Sequence, residues 1–520
     1  MKTFFLTAMT MLIVIMASAQ HTNILIDDDQ SGGQPSEPSI VIDPKNPLHI
    51  MAGSILNRYY YSMDGGHTWP PGRLTSPWGV WGDPVLAVDT NGRYYYFHLA
   101  NPPGTPFADR IICQRADSVN AAWNQRTYFG QDPVKLQDKI WGTIDQATNR
   151  IYAMWTQFDW YGNPDPAFKS NIRFSRSTDG AQTWSDPVCI NETPGGCMDD
   201  SYTVEGPVPA IGPNGEIYAI WAGPLGLMMD KSTDGGITWR DHDIFVAGIP
   251  GGWTYTIPGI NRCNGLPVTK CDLSNSPHHG TIYVNWSDQR NGTDDTDIWL
   301  VKSTDGGLSW SQPARVNDDQ PGRHQFMTWM DVDQVTGYLW FVWYDRRNHE
   351  DQNTDVYMAV SRDGGASFSN FRISESPFVP YANLFFGDYT NVSAHNNVVR
   401  PVWARMQNGL NSIWTAIINP DIIGMEQDKP FAAQPVATFP NPFSENSWIA
   451  YKLSEPSEVT IKLFDALGNT LATPLDHCRK NAGKYVEHIS AQKYNLKPGV
   501  YFVILERDDQ TVVRKIVMVN

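Results

Sequence analysis

The sequence predicts an all-β chain, in which a ring of small antiparallel sheets is followed by a small antiparallel β-sandwich. Three observations carry this. An eight-residue pattern, Ser-x-Asp-x-Gly-x-Thr-Trp, occurs five times; strands rich in Tyr and Trp recur between the copies; and residues 435–520 switch to a different alternating pattern. Strict alternation of apolar and polar residues belongs to strands with one buried face.

The copies run Ser62–Trp69, Ser177–Trp184, Ser232–Trp239, Ser303–Trp310 and Ser361–Phe368, with Ala181, Ser309 and Ser367 as substitutions. The Asp carboxylate can accept turn N–H groups, and the glycines permit positive φ. The closing aromatic buries a large ring at a fixed offset. Repetition of such a unit at tens of residues signals a radial array of sheets. The pattern is the Asp-box, and residues 35–420 resemble the sialidase-like β-propellers. The resemblance implies that the boxes are structural and lie away from the active site.

Each unit begins with an acidic residue before a short apolar strand, then a turn, then a strand rich in aromatics. Glu37–Asp43, Asp83–Asp89, Asp138–Asp145 and Glu205–Gly212 open the first four units, with Asn-Gly turns at 91–92 and 214–215. Asn-Gly is a strong hairpin signal. Thr281–Trp286, Gln325–Asp331 and Asp388–Ala394 mark three more, giving seven units; merging the fifth with a neighbour would give six. The second unit keeps a decayed box at Asp117–Trp123. The seventh has none, so a strand near Asn23–Asp27 is expected to complete it and close the ring, removing exposed edges.

The termini read differently. Lys2, the apolar stretch Phe4–Met16 and Ala17-Ser18-Ala19 form a secretory signal over residues 1–19, leaving no transmembrane segment expected in the mature chain. Residues 20–420 are then the propeller and 421–434 a linker. Phe439-Pro440-Asn441-Pro442-Phe443, the strands Ile449–Leu453 and Val459–Asp465, and the terminal Lys515–Val519 describe the sandwich. This pattern resembles the C-terminal sorting domain of the type IX secretion system of Bacteroidetes. The resemblance implies a chain handled by that machinery and then released or attached at the outer-membrane surface. The net charge of -16 argues against nucleic acid as a partner. Six cysteines suit an oxidising compartment, and Cys189/Cys197 and Cys263/Cys271 are the expected local pairs.

Alternating strand direction fixes where chemistry can collect. The boxes join the third strand of a sheet to the fourth, so the start of the first strand and the second connection lie on the opposite face. Acidic residues at the strand starts (Glu37, Asp83, Asp138, Glu205, Asp388) face basic residues just after the second strands (Arg58, Arg290, Arg347, Arg405). Units five and six share Trp286-Ser287-Asp288-Gln289-Arg290-Asn291 and Trp343-Tyr344-Asp345-Arg346-Arg347-Asn348. Arginine forks bind a carboxylate, and glycoside hydrolysis uses paired carboxyls. The sialidase resemblance implies a Tyr nucleophile assisted by a Glu, with an Asp as acid/base. Tyr389 with Glu205, and Asp83 or Asp138, are the candidates. Substrate binding then falls to the four arginines with Glu37, Asp288, Asp345 and Asp388. The Phe/Tyr-Arg-Ile-Pro segment of that family is absent before the first box, where Ile55-Leu56-Asn57-Arg58-Tyr59 stands. The strand-start acids could equally cap backbone N–H groups, and the Asp-x-Arg-Asn segments could be salt bridges within one sheet.

No cofactor is required. Asp294, Asp295 and Asp297 offer oxygens for a structural Ca²⁺ without the full spacing of a calcium loop. The expected function is a secreted or surface glycoside hydrolase on extracellular glycans or glycoproteins, with acidic sugars leading. A non-catalytic glycan- or protein-binding propeller is the alternative, and a xyloglucanase-type glycosidase a third class. The first two differ in one respect: a binder has its arginines already paired to Asp288 and Asp345.

Overall fold

Short apolar strands separated by tight turns can bury their faces only against one another, and sheets of this kind stack. In the computed structural model the chain falls into two compact units, Met1–Ile418 and Asn419–Asn520. The described residues are 21–29, 33–103, 108–407, 409–420, 423, 436–439, 441–453, 455–466, 468–507 and 510–519, and they contain no α-helix. The expected signal segment 1–19 and nearly all of the expected linker 421–434 lie outside them.

The first unit holds seven four-stranded antiparallel sheets. Their leading strands are Ser39–Ile42, Val85–Val88, Leu136–Asp145, Glu205–Ile211, Val268–Cys271, Gln325–Val332 and Asn391–His395. Consecutive leading strands lie side by side, and the seventh lies beside the first, so they form a closed ring. In six sheets the strands follow chain order; in the seventh the outer strand is Thr22–Asp27, antiparallel to Leu410–Ile417. A strand at the chain's start therefore completes the last sheet. Full-sized aromatics fill the space between sheets, with Trp155, Trp221, Trp286, Trp340, Trp343 and Trp403 fully buried.

Two turns repeat, and each is built by one Asp. After the leading strand, Asp43, Asp89, Asp145, Asp272 and Asp333 each accept the N–H two residues on, at 2.7–2.9 Å. The Asp-boxes are the second. Asp64 Oδ1 accepts from the N–H groups of His67 and Thr68 at 3.0 Å, its Oδ2 from the Thr68 hydroxyl at 2.7 Å, and Ser62 Oγ donates to Asp64 while accepting from Gly66 N–H. The same bonds recur around Asp179, Asp234, Asp305 and Asp363. With hydrogen bonds to the charged form, led by the Ser309 hydroxyl, the Asp305 carboxyl is held down to about 2.

Each box is also clasped by the preceding sheet. Arg115, Arg176, Lys231, Lys302 and Arg400 donate to the carbonyls of Gly180, Gly235, Gly306, Gly364 and Gly65 at 2.5–3.3 Å. Arg176, Lys231 and Lys302 immediately precede the box serine of their own sheet, so one position both closes a strand and reaches its neighbour.

The second unit has a three-stranded sheet (Val436–Phe439, Asn446–Leu453, Gly483–Ser490) and a four-stranded one (Thr470–Lys480, Ser457–Asp465, Gly499–Arg507, Gln510–Met518). They share a core that includes Ile449, Tyr451, Leu463, Val503 and Leu505.

The expected disulfides do not form, since all six cysteines are free thiols. The leading strand Val268–Cys271 carries the chain from one face of the ring to the other, and Cys263 pairs with Tyr255 before that strand begins. Cys189 stands opposite Arg173, and Cys197 bridges to Asn163.

The second box glycine yields a test. Gly236 has φ of 80°, and a Cβ there would stand 2.3 Å from the Phe174 ring. Gly236→Ala should destabilise by about 2–4 kcal/mol, from left-handed strain plus overpacking. Ala181→Gly, at the equivalent turn where Ala is native, should shift stability by no more than about 1 kcal/mol. Urea unfolding midpoints of the two variants check this.

Candidate functional site

The leading strands all begin on the face opposite the boxes, and their first residues converge there. Glu37, Asp83, Lys139, Gly206 and Met327 each take a left-handed conformation, with φ between 47° and 70°. They stand six residues before Asp43, Asp89, Asp145, Gly212 and Asp333; Leu266 and Tyr389 hold the same place in the fifth and seventh sheets. Non-glycine residues in this region carry strain of roughly 1–3 kcal/mol each, which surrounding structure must offset. Here the turn aims side chains into the mouth of the ring.

At its centre is Lys139. Its Nζ lies 2.8 Å from Asp388, 3.8 Å from Asp138 and 4.0 Å from Asp83, and its side chain is 7% exposed. Its N–H also donates to Asp83 at 3.0 Å and Asp138 at 2.9 Å. Burial alone would lower the lysine pKa, but Asp138, Asp388 and Asp83 outweigh it and hold the ammonium well above its ordinary range. Asp388 is matched twice, since Arg262 Nε donates to it at 2.8 Å and Arg262 Nη2 pairs with its other oxygen. Burial would raise the Asp388 pKa; the two cations reverse that and hold it below the usual carboxylate range.

Arg262 comes from an insertion between the fourth and fifth sheets, whose strands Thr254–Tyr255 and Cys263–Asn264 form a small hairpin sheet. From there Arg262 Nη1 reaches Asp199 at 3.1 Å, while Tyr161 donates its hydroxyl to the same Asp199 oxygen at 2.6 Å. Between this insertion and the strand starts lies a cavity of about 170 Å³, lined by Lys139, Asp199, Glu205, Tyr255, Arg262 and Asp388 among others.

The remaining acids are less well matched. Burial pushes Asp138 up to about 7 against the pull of Lys139, with Asp83 and Asp199 adding to the rise. Burial, with Asp83 and Asp388 nearby, holds Glu37 well above its ordinary value. Burial and Asp199 do the same for Glu205. Neither Glu205 oxygen has a hydrogen-bond donor, so a proton on Glu205 is the group that can bond it to Asp199. Tyr389 packs edge-on to Trp141 at 5.1 Å, and its buried hydroxyl is without a partner. Burial, then Glu37 and Asp83, raise its pKa well above the phenol value.

The structure thus brings Glu37, Asp83, Asp138, Glu205, Asp388 and Tyr389 together, and disperses the arginines. Arg58 pairs with Asp27 at 3.1 Å and Asp29 at 3.0 Å, where the chain leaves the ring-closing strand. Arg290 pairs with Asp288 at 2.6 Å and stacks 4.4 Å over Trp299. Arg347 pairs with Asp345 at 2.9 Å and with Asp318 at 2.5 Å, and stacks over Tyr357. Asp288 and Asp345 are themselves buried and accept from Trp286 and Trp343, so each Trp-x-Asp-x-Arg segment locks its own turn. Arg405 donates to Ser376 at 2.8 Å and lies over Trp414. The expected arginine arc is instead a set of separate clasps: Arg290 and Arg347 are held by Asp288 and Asp345 of their own sheets, and Arg58 reaches across to the ring-closing strand. Asp297 is likewise committed, to Asn291, Asn317 and Arg315.

Sequence reasoning missed Lys139, Asp199, Tyr161 and Arg262. Lys139 had a signal, for it occupies the position of Glu37 and Asp83 in the repeat. Arg262 had none, because it lies in an insertion that no other unit shares.

Residues 437–519 match the secretion system C-terminal sorting domain, so the protein is secreted or held at the cell surface. No curated protein sequence matches the chain. Among solved structures, a Hadza microbial sialidase is similar at 13% identity and a TM-score of 0.41, over 72% of this chain and 74% of that one. An α-L-arabinanase of Penicillium chrysogenum has 15% identity and a TM-score of 0.41, over 65% and 97%. A protein of unknown function from Dyadobacter fermentans has 10% identity and a TM-score of 0.44, over 77% and 98%.

Removing Lys139 leaves several buried carboxyls without their cation. Lys139→Met should cost about 3–5 kcal/mol, the scale for breaking a buried pair from one side. Adding Asp388→Asn should recover part of that loss. Denaturant unfolding of wild type, both single variants and the double variant tests the coupling.

Proposed function

We propose that the chain is a glycoside hydrolase acting on extracellular glycans, its seven sheets forming the blades of one sialidase-like propeller and its site lying where the inner strands begin. The observation that carries this reading is the pair Asp138 and Asp199. Asp138 is partly open to solvent and, at about 7, holds a proton for much of the time near neutrality, as a general acid must. Asp199 is oriented by an arginine and a tyrosine hydroxyl, which fits the second carboxyl, either base or nucleophile. Glu205, held well above its ordinary value by burial and Asp199, stands beside Asp199, and Lys139 Nζ lies 3.8 Å from Asp138.

Charge favours a neutral sugar over an acidic one. Even without Glu37 and Glu205, which are held toward their uncharged forms, Asp83, Asp138, Asp199 and Asp388 stand against Lys139 and Arg262, and both of those cations already pair with Asp388. A substrate carboxylate would therefore meet like charge and no uncommitted guanidinium. One observation favours the second reading, a non-catalytic binding propeller: Arg290 and Arg347 are engaged with Asp288 and Asp345.

Hydrolysis of fluorogenic pentosides, hexosides and an α-sialoside by the mature chain decides among these. Turnover of a neutral glycoside is expected, lowered at least about 100-fold by Asp138→Asn. Because the raised group acts in its protonated form, kcat/KM should fall as pH rises through about 7, and the variant should lose that limb. Turnover of the sialoside alone would restore the acidic-sugar reading. Silence across the panel from folded protein would favour the binder.

A further inference from the structure

The mouth is rimmed by aromatic side chains that the fold itself does not use. Tyr202 is 71% exposed, Trp160 59% and Tyr381 53%, with Tyr161 and Phe385 at 36%. Of the exposed Trp and Tyr side chains in the first unit, all but Tyr128 lie in connections on the site face. Trp160 and Tyr161 follow the second strand of the third sheet, Tyr202 enters the fourth, and Tyr381 and Phe385 enter the seventh. The third and fourth sheets lie across the ring from the seventh. Arg262 spans that gap, paired with Asp199 on one bank and Asp388 on the other, with its guanidinium 5.4 Å over the Phe385 ring.

These rings are exposed yet held. Trp160 packs edge-on to Phe168 at 5.2 Å, and Tyr161 edge-on to Phe158 at 5.0 Å. Asn383 donates to the Tyr381 hydroxyl at 2.8 Å, and Tyr202 is placed through its backbone, whose carbonyl accepts from Gly196 N–H at 2.8 Å. Apolar area kept in water and fixed in place on both sides of a cleft is the signature of a binding surface.

We propose that this rim binds a neutral polysaccharide chain laid across the mouth, with sugar faces stacked on Trp160 and Tyr202 on one bank and Tyr381 on the other. The inference deepens the hydrolase reading and rests on it for the role of the site, though not for the binding itself. Neutrality follows from the excess of carboxyls between the two banks, which repels a polyanion. Length follows from the separation of the aromatics onto opposite sheets, which a single terminal sugar would leave unused.

Affinity electrophoresis of the mature chain in gels containing xyloglucan, linear arabinan, mixed-linkage β-glucan or polygalacturonate tests this. Retardation by at least one neutral polymer and none by polygalacturonate is expected. Trp160→Ala, Tyr202→Ala and Tyr381→Ala should each weaken it about tenfold, the scale of losing one aromatic anchor, and Trp160→Phe should retain most of it. Thermal melting of each variant verifies folding. Asp138→Asn should still be retarded, so a chain that binds polymer through these rings but hydrolyses nothing overturns the hydrolase reading and keeps the platform. No retardation by any neutral polymer, retardation indifferent to the aromatic variants, or equal retardation by polygalacturonate would overturn the platform.

Discussion

Closure of the ring is the constraint on which everything else in the first unit depends. Seven sheets stacked face to face leave two raw faces unless the last meets the first, and here they meet through the strand Thr22–Asp27. The joint is then pinned from the site face, where Asp27 and Asp29 hold Arg58 and Asp27 accepts from the Tyr60 hydroxyl. On the other face Arg400 of the seventh sheet donates to Gly65 in the first box. The same cation-to-carbonyl clasp links four further neighbouring pairs, so closure uses the joint already found between sheets. Only a closed ring brings the starts of all its leading strands around one axis.

That convergence has an electrostatic consequence. Strand starts are narrow and crowded, and five of the seven sheets place ionisable groups there. Desolvating so many carboxyls is costly, on the scale of several kcal/mol per isolated ion. The structure offsets this in two ways. Lys139 and Arg262 neutralise Asp388 outright, while Glu37 and Glu205 are pushed toward their uncharged forms. Asp138 stands between these limits, balanced by Lys139 against Asp83 and Asp199. Groups poised in this way can exchange a proton near neutral pH, whereas groups fully paired or fully protonated hold theirs.

The repeats and the strand-start acids were legible in the sequence because each has a local cause, and the ring-closing strand because the seventh unit lacks a box of its own. Ser-x-Asp-x-Gly closes its own turn with bonds spanning a few residues, and the acids fall at a fixed place in a short pattern. Arg290 and Arg347 were misread because residue type gives the charge but not its partner. Asp288 and Asp345, two residues earlier, are close enough to take the guanidinium before any ligand can. Asp199 and Arg262 were invisible for the opposite reason, since their partners are 38 residues apart or more in sequence and meet only once the ring has closed. For Cys263 and Cys271, eight residues of separation mean little, because the leading strand Val268–Cys271 carries the second away from the first.

A repeat protein offers a further way to separate structure from function within one chain. Where the copies agree, the residue serves what every sheet needs: Asp43, Asp89, Asp145, Asp272 and Asp333 all build the same turn, and the box aspartates another. Six residues before those turns the copies disagree completely, as Glu37, Asp83, Lys139, Gly206, Leu266, Met327 and Tyr389. The backbone there is nevertheless the same left-handed turn in five of them, four with a side chain that strains it. At Lys139, Gly206 and Met327 this turn lies in the bulge that shifts the leading strand's register against its neighbour, a conformation that glycine adopts with least strain. What the position supplies is a direction, into the mouth, and what varies is the chemistry delivered there. The acidic and basic members gather on one side of the ring and the apolar Leu266 and Met327 on the other.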